Sequence, residues 1–193
     1  MTEPTTLLSV AHLSIRVGND GPLAVDDLSF SVTPGEIVAL VGESGSGKTM
    51  AARAVIGLLP APMTVCAGRI DLKGVDLATL AIEPMRKIRG ATVGMVFQEP
   101  MVSLNPALTI GRQMSEALRL HTTLNTQQIH ERCVQMLERI GIHDAEGCLL
   151  SYPHQFSGGM RQRIMLASVM LLRPALISTS PSSSSSAIKP TLR

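Results

Sequence analysis

Tryptophan is absent from the 193-residue chain, and aromatic residues make up only 2% of it. A core must therefore be assembled from Leu, Ile, Val, Met and Ala. No motif interleaves aromatics with a basic patch, so the ring platforms on which proteins stack single-stranded bases are not expected. Charge of one sign is also lacking. Seventeen Lys and Arg against fifteen Asp and Glu leave a formal charge of +2, too little for a basic surface that tracks a phosphate backbone. No nucleic-acid partner is expected. The three cysteines, Cys66, Cys133 and Cys148, are odd in number and far apart. They fit neither a metal spacing nor a disulfide framework and read as reduced thiols of a cytosolic protein. The first residues, MTEPTTLLSV, lack the basic start and apolar stretch of a signal peptide. The longest apolar run, Ile164 to Leu172, is too short to span a bilayer. With no direct membrane span expected, any membrane role would work through a partner.

What is present suits a folded α/β chain. Hydrophobic residues reach 45%, enough to bury a core. The length fits one domain, or one domain with an inserted lobe. Leu7 to Val17 and Leu28 to Val32 read as strands, with the turn cluster Gly18 to Pro22 between them. After the Pro34-Gly35 turn, Glu36 to Val41 (EIVALV) reads as a buried strand. A helix is expected from Lys48 to about Leu58, ended by Pro60 and Pro62, and further strands over Gly68 to Lys73 and Thr92 to Phe97. From Thr109 the spacing turns helical. Thr109 to His121 and Thr126 to Ile140 are predicted helices, the second capped by Asn125 or Thr126 and stopped by Gly141. This block interrupts the strand-rich part and reads as a small lobe. Ser157 to Leu172 is a third long helix, and Pro174 to Ser178 returns to strand. From Thr179 the composition collapses into a low-complexity stretch containing Pro181, Ser182 to Ser186 and Pro190.

Two motifs carry chemistry. GESGSGKT, Gly42 to Thr49, fits G-x-x-x-x-G-K-[ST], the phosphate loop of P-loop NTPases. Its glycines let the backbone approach phosphates, and the following helix presents the positive end of its dipole. Lys48 would reach the β- and γ-phosphates and Thr49 would place its hydroxyl on Mg²⁺. An apolar strand before the motif and a helix after it are the context that this mechanism requires. The second motif, FSGGMRQR, Phe156 to Arg163, pairs a natural N-cap, Ser157, with Gly158 and Gly159, which leave amides uncovered at a helix start. Such an end can take a phosphate held elsewhere. Arg161 and Arg163 read as a solvated helix face.

In this order and spacing, GESGSGKT, VFQEPMVSLNP (Val96 to Pro106) and YPHQFSGGMRQR (Tyr152 to Arg163) resemble the ABC ATPase family. The wording is similar to its oligopeptide and dipeptide importer branch, which includes relatives for nickel and glutathione. The resemblance covers about residues 7 to 178. It implies an α/β fold: a P-loop core with an N-terminal antiparallel β subdomain and an inserted α-helical subdomain, incomplete at the C-terminus. The implied divisions are 1–97 for the β subdomain and P-loop core, 98–155 for the Q-loop and helical subdomain, 156–178 for the signature helix and Walker B strand, and 179–193 for a non-family tail. It implies ATP and Mg²⁺ as cofactors, held by Gly42, Glu43, Ser44, Gly45, Ser46, Gly47, Lys48, Thr49 and Gln98, with Thr49 and Gln98 on the metal side. The signature Ser157, Gly158, Gly159 and Met160 would close over nucleotide bound by a second ATP-binding subunit, head to tail. The helical lobe would receive transmembrane permease subunits at the cytoplasmic face of the bacterial inner membrane.

Two departures from the family pattern bear on function. The aromatic residue that stacks on adenine in the family falls near Val17, which forgoes a ring-on-ring contribution of roughly 1 kcal/mol. After an apolar strand such as Ala175 to Ile177 the family has Ala-Asp-Glu-Pro-Thr. Here Thr179 stands for the metal-side Asp and Ser180 for the general-base Glu, so no catalytic set is intact. The D-loop and switch histidine have no counterpart before Arg193. The codons GAC-GAG-CCC-ACN, read one nucleotide late, give Thr-Ser-Pro, matching Thr179 to Pro181 but not Ser182. The reading is an ATP-binding subunit that energises a peptide importer. The alternatives are a truncated nucleotide-binding module without turnover, or a decayed pseudogene product.

Overall fold

The computed structural model of the chain describes residues 6–43, 45–97 and 104–180, with Phe97 and Ser180 described by their backbone only. Two blocks, each with its own apolar core, make up the fold.

The first block is strand-rich. Strands β1 (Leu8–Val17), β2 (Leu23–Val32), β3 (Met63–Leu72) and the short β4 (Val75–Asp76) form an antiparallel sheet in the order β2-β1-β3-β4. Leu8, Val10, Leu13 and Ile15 of β1 are buried under helix α1 (Lys48–Val55) together with Val25, Val32, Ile70 and Leu72. The inward alternation of β1 breaks at His12, whose φ is +52°, where the register with both neighbouring strands shifts. Gly68 crosses β1 at this bulge with φ +90°, and a side chain there would collide with the His12 carbonyl. Helix α2 (Ile82–Ile88) follows β4 and places Met85 in the same core.

The second block is helical. Helices α3 (Ile110–His121), α4 (Thr126–Arg139) and α5 (Ala145–Leu150) pack on one another around Ile110, Met114, Leu118, Ile129, Cys133, Leu137, Cys148 and Leu149. Each has an N-cap that its sequence supplies. Thr109 Oγ1 accepts from the Arg112 N–H, Asn125 and Gln128 form a reciprocal capping box, and Asp144 accepts from the Gly147 N–H. Helix α6 (Gly158–Met170) seals this core with Ile164, Ala167 and Leu171 and also packs on strand β5 (Val93–Phe97). It thereby joins the two blocks. Strand β5 pairs in parallel with β6 (Leu176–Ser180), and α1 packs on β6.

The structure corrects the expectation for Glu36 to Val41. Among the described residues this segment joins no ladder, and Ile37 and Val41 are 76% and 92% exposed. A continuous apolar run announces a strand covered on both faces. A ladder, however, requires a partner, and no described strand pairs with this run. The segment is held at its start instead, where Thr33 donates its N–H and hydroxyl to the Glu36 carboxylate at 2.8 and 2.9 Å. Those two bonds hold the Glu36 carboxyl below the usual carboxylate range. The loop clamp is therefore present above the ordinary carboxylate pKa and is lost as pH falls through the lowered one. The expected strands over residues 28–32 and 68–73 are longer in the structure, beginning at Leu23 and Met63.

The cysteines occupy different surroundings. Cys66 is exposed on β3, whereas Cys133 and Cys148 are buried in the helical core, where burial pushes both thiols up to about 11. A thiol with that pKa is ionised to about one part in a thousand at pH 8, and the thiolate is the reactive form. Timed reaction with a disulfide reagent at pH 8 is expected to consume one thiol quickly and the other two only after denaturation. Three thiols reacting at one rate would contradict this packing.

Candidate functional site

The phosphate-loop residues 42–49 lie between the exposed 36–41 segment and α1, outside the sheet, with Ser44 beyond the described residues. Gly47 occupies the N-cap position of α1 with φ +82°, and a side chain there would strike the Ala24 carbonyl of β2. Only glycine allows the loop to lie this close to β2 while turning through left-handed backbone. No side chain caps the start of α1 and no acidic residue sits in its first turn. Lys48, the first helical residue, folds back over the loop. Its ammonium donates to the Gly42 carbonyl at 2.7 Å, to the Glu43 carbonyl at 2.5 Å and to Ser46 Oγ at 2.9 Å. A cation thus stands over a glycine-rich loop at the positive end of a helix, an arrangement suited to a phosphate group. Among the described residues no cluster of three or more His, Cys, Asp or Glu could hold a metal ion by itself.

Two further groups of expected site residues stand at the end of β6 and at the start of α6. The parallel register places Thr179 beside Val96 and Ser180 beside Phe97. Both substituted positions therefore lie at the end of β6, level with the end of the strand that leads to Gln98, which itself is outside the described residues. The signature stands at the start of α6. Ser157 caps it by accepting from the Met160 N–H at 3.4 Å, and Gly158 and Gly159 are exposed with open space around them. Just before it, the rings of Tyr152 and His154 stack with centroids 5.7 Å apart. One expectation changes here. Arg161 is half-buried and its Nε donates to the Phe156 carbonyl at 2.9 Å, so it holds the signature turn rather than a solvated face; Arg163 is exposed. Val17 ends β1 half-buried, with no aromatic neighbour in sequence.

A profile of the ABC transporter family matches residues 25–178, most of the chain. The chain belongs to the ABC transporter family. Among curated relatives of this family, a peptidoglycan transport ATP-binding protein, YejF, of Agrobacterium fabrum is 44% identical over 179 residues, 91% of this chain and 33% of the relative. The dipeptide transport ATP-binding protein DppD of Escherichia coli is 42% identical over 173 residues, 89% of this chain and 53% of its own. The chain thus spans about a third to about half the length of these relatives. The family fold recurs in solved structures. A dimeric ATP-binding cassette, MJ0796, bound to ADP and Pi superposes with a TM-score of 0.76 at 21% identity, covering 89% of this chain and 72% of that one. An ATP-binding subunit of an ABC transporter superposes with a TM-score of 0.70 at 29% identity, covering 90% and 65%.

The Arg161 bond and the loop's seat against β2 are two features of the candidate site that sequence reasoning did not reach. The Gly47 signal was visible as a glycine, but its neighbour Ala24 lies 23 residues upstream and nothing in the pattern links them.

Proposed function

We propose that the chain binds ATP with Mg²⁺ and is the ATP-binding subunit of an importer for dipeptides or oligopeptides. The observation that carries this is the Lys48 ammonium folded over the 42–49 loop at the uncapped start of α1. Gly42, Glu43, Ser44, Gly45, Ser46, Gly47 and Lys48 would hold the phosphates, and Thr49 and Gln98 would serve the metal. Mg²⁺ held there would offset the negative charge of the phosphates. Lys48 would hold a phosphate oxygen in place of its main-chain carbonyls, a stronger charge-assisted contact. Ser157, Gly158, Gly159 and Met160 close over the nucleotide of a second subunit arranged head to tail. The peptide specificity rests on the names of the relatives.

The subunit sits at the cytoplasmic face of the bacterial inner membrane and is held there by permease subunits. No helix among the described residues is long and apolar enough to cross a membrane. The helical block offers the docking surface: Leu120 and Leu150, at 60% and 79% exposure, are apolar side chains that its own core leaves outside. Crosslinking of the assembled transporter is expected to join the permease's cytoplasmic loops to residues near Val102 to Leu120. Crosslinks confined to the strand-rich block would overturn this docking.

A second reading, nucleotide binding without turnover, is favoured by Thr179 and Ser180 at the end of β6. Neither side chain is a carboxylate, and a hydroxyl neither carries charge to Mg²⁺ nor accepts a proton from water near neutral pH.

A further inference from the structure

Behind the phosphate loop, α1 ends in a Schellman motif. The Gly57 N–H donates to the Ala54 carbonyl at 3.0 Å and the Leu58 N–H to the Arg53 carbonyl at 2.8 Å. The carbonyls of Ile56 and Gly57, at the turn itself, are both taken by one side chain from elsewhere. Arg89 donates Nε to the Ile56 carbonyl at 2.9 Å and Nη2 to the Gly57 carbonyl at 3.3 Å. A guanidinium presents two parallel donors and a permanent charge at the negative end of a helix dipole.

Arg89 is also the point at which α2 turns into β5. Its own N–H closes α2 on the Met85 carbonyl at 3.0 Å, it bridges to Val93, and the Gly90 N–H donates to the Val93 carbonyl at 2.9 Å. Met85 packs directly under Gly57. The Arg89 side chain borders a cleft of about 280 Å³ between the two blocks, lined also by Gly90, Ala117, Ser168 and Leu172. The residue therefore ties the rear of α1 to the connection that feeds β5, beside the junction with the helical block.

We propose that Arg89 is a positioning residue for nucleotide binding: its guanidinium clamps the C-terminal end of α1 to the α2–β5 connection and so fixes the phosphate loop at the other end of that helix. The inference rests on the reading of residues 42–49 as a nucleotide site. Helix α1 has eight residues, about 12 Å of rise, so freedom at one end is felt at the other. Because β5 runs on towards Gln98, the same clamp keeps the loop in step with that strand.

The test is ATP affinity by calorimetry, beside melting temperature, for the wild-type chain and for Arg89→Ala, Arg89→Lys, Ile88→Ala and Lys48→Ala. All affinities are taken well below every melting temperature. Arg89→Ala is expected to weaken ATP about three- to tenfold, less than the loss of a charged hydrogen bond made directly to the ligand, because Arg89 acts through the helix. Arg89→Lys should recover part of it, since an ammonium reaches one carbonyl but lacks the fork. Ile88→Ala, which trims a neighbouring half-buried side chain in the same core, should lower the melting temperature and leave affinity unchanged. If Arg89→Ala and Ile88→Ala both lower melting while ATP affinity stays at the wild-type value, Arg89 is only a structural brace and the proposal is overturned. If Lys48→Ala also binds as wild type, the nucleotide reading falls and takes this inference with it. Should Arg89→Ala fail to fold, the comparison of Arg89→Lys with Ile88→Ala decides in the same way.

Discussion

With Mg²⁺ and saturating ATP, the purified chain is expected to hydrolyse ATP at the background rate. Attack on the γ-phosphate needs a group that orients water and takes its proton. A positioned general base contributes about 10²–10⁴-fold, or roughly 3–5 kcal/mol of barrier. The register of β6 against β5 puts Ser180 level with Phe97 and Thr179 level with Val96, so these two positions reach the end of the sheet where such a group would act. Neither residue titrates near neutral pH, and neither supplies negative charge to a metal ion. Pairing two copies does not help, because Ser157 to Gly159 of one would face a site of the other that still lacks its base. Phosphate release assayed with the wild-type chain and Lys48→Ala measures this. Equal, background rates are predicted; robust turnover that disappears in Lys48→Ala would show that the residues at 179 and 180 have been misread.

ATP binding, in contrast, is expected to survive in the wild-type chain and to fall about ten- to a hundredfold or more in Lys48→Ala. A hydrogen bond to a charged group contributes about 1.5–3 kcal/mol, and each 1.4 kcal/mol is tenfold. Three contacts within the loop moderate the loss. The ammonium already rests on the Gly42 and Glu43 carbonyls and Ser46 Oγ, so binding exchanges partners rather than creating them. The loop is exposed, and water can replace the ammonium on those oxygens. Folding stability should therefore change by less than about 0.5 kcal/mol, as for an ordinary surface substitution. A loss of affinity with an unchanged melting temperature separates the two effects.

Local signals were the legible part of this fold. Thr109, Asn125 and Ser157 cap the helices that their positions announce, and Gly141, with φ +81°, follows α4 where the periodicity stops. The helix starts at Lys48 and Gly158 were readable because the motifs placed there need fixed residue types at fixed spacing. Strand limits were harder. Asp26 and Asp27 interrupt the apolar reading of β2, yet the strand runs through them, with Asp27 at φ +49° in a register shift. Gly68 likewise reads as a strand start, but it is a close crossing inside β3. Helix α2 was not among the expected elements, although Ile82, Met85 and Ile88 have helical spacing; Pro84 falls in its first turn, where proline is tolerated. The 36–41 run was over-read, since a strand's partner is a tertiary fact that no local pattern contains. The Arg89 clamp joins residues 32 and 33 positions apart and leaves no mark in periodicity or motif.

The claim on which the rest depends is that residues 42–49 bind phosphate. Calorimetric titration of the wild-type chain with ATP, ADP and adenosine, each with Mg²⁺, tests it most directly. Val17 offers the base no ring to stack on, so most of the affinity should come from the phosphates. The account predicts one saturable site per chain for ATP and ADP, with adenosine at least tenfold weaker. Adenosine binding as tightly as ATP, or no heat with any of the three from a folded chain, would contradict it.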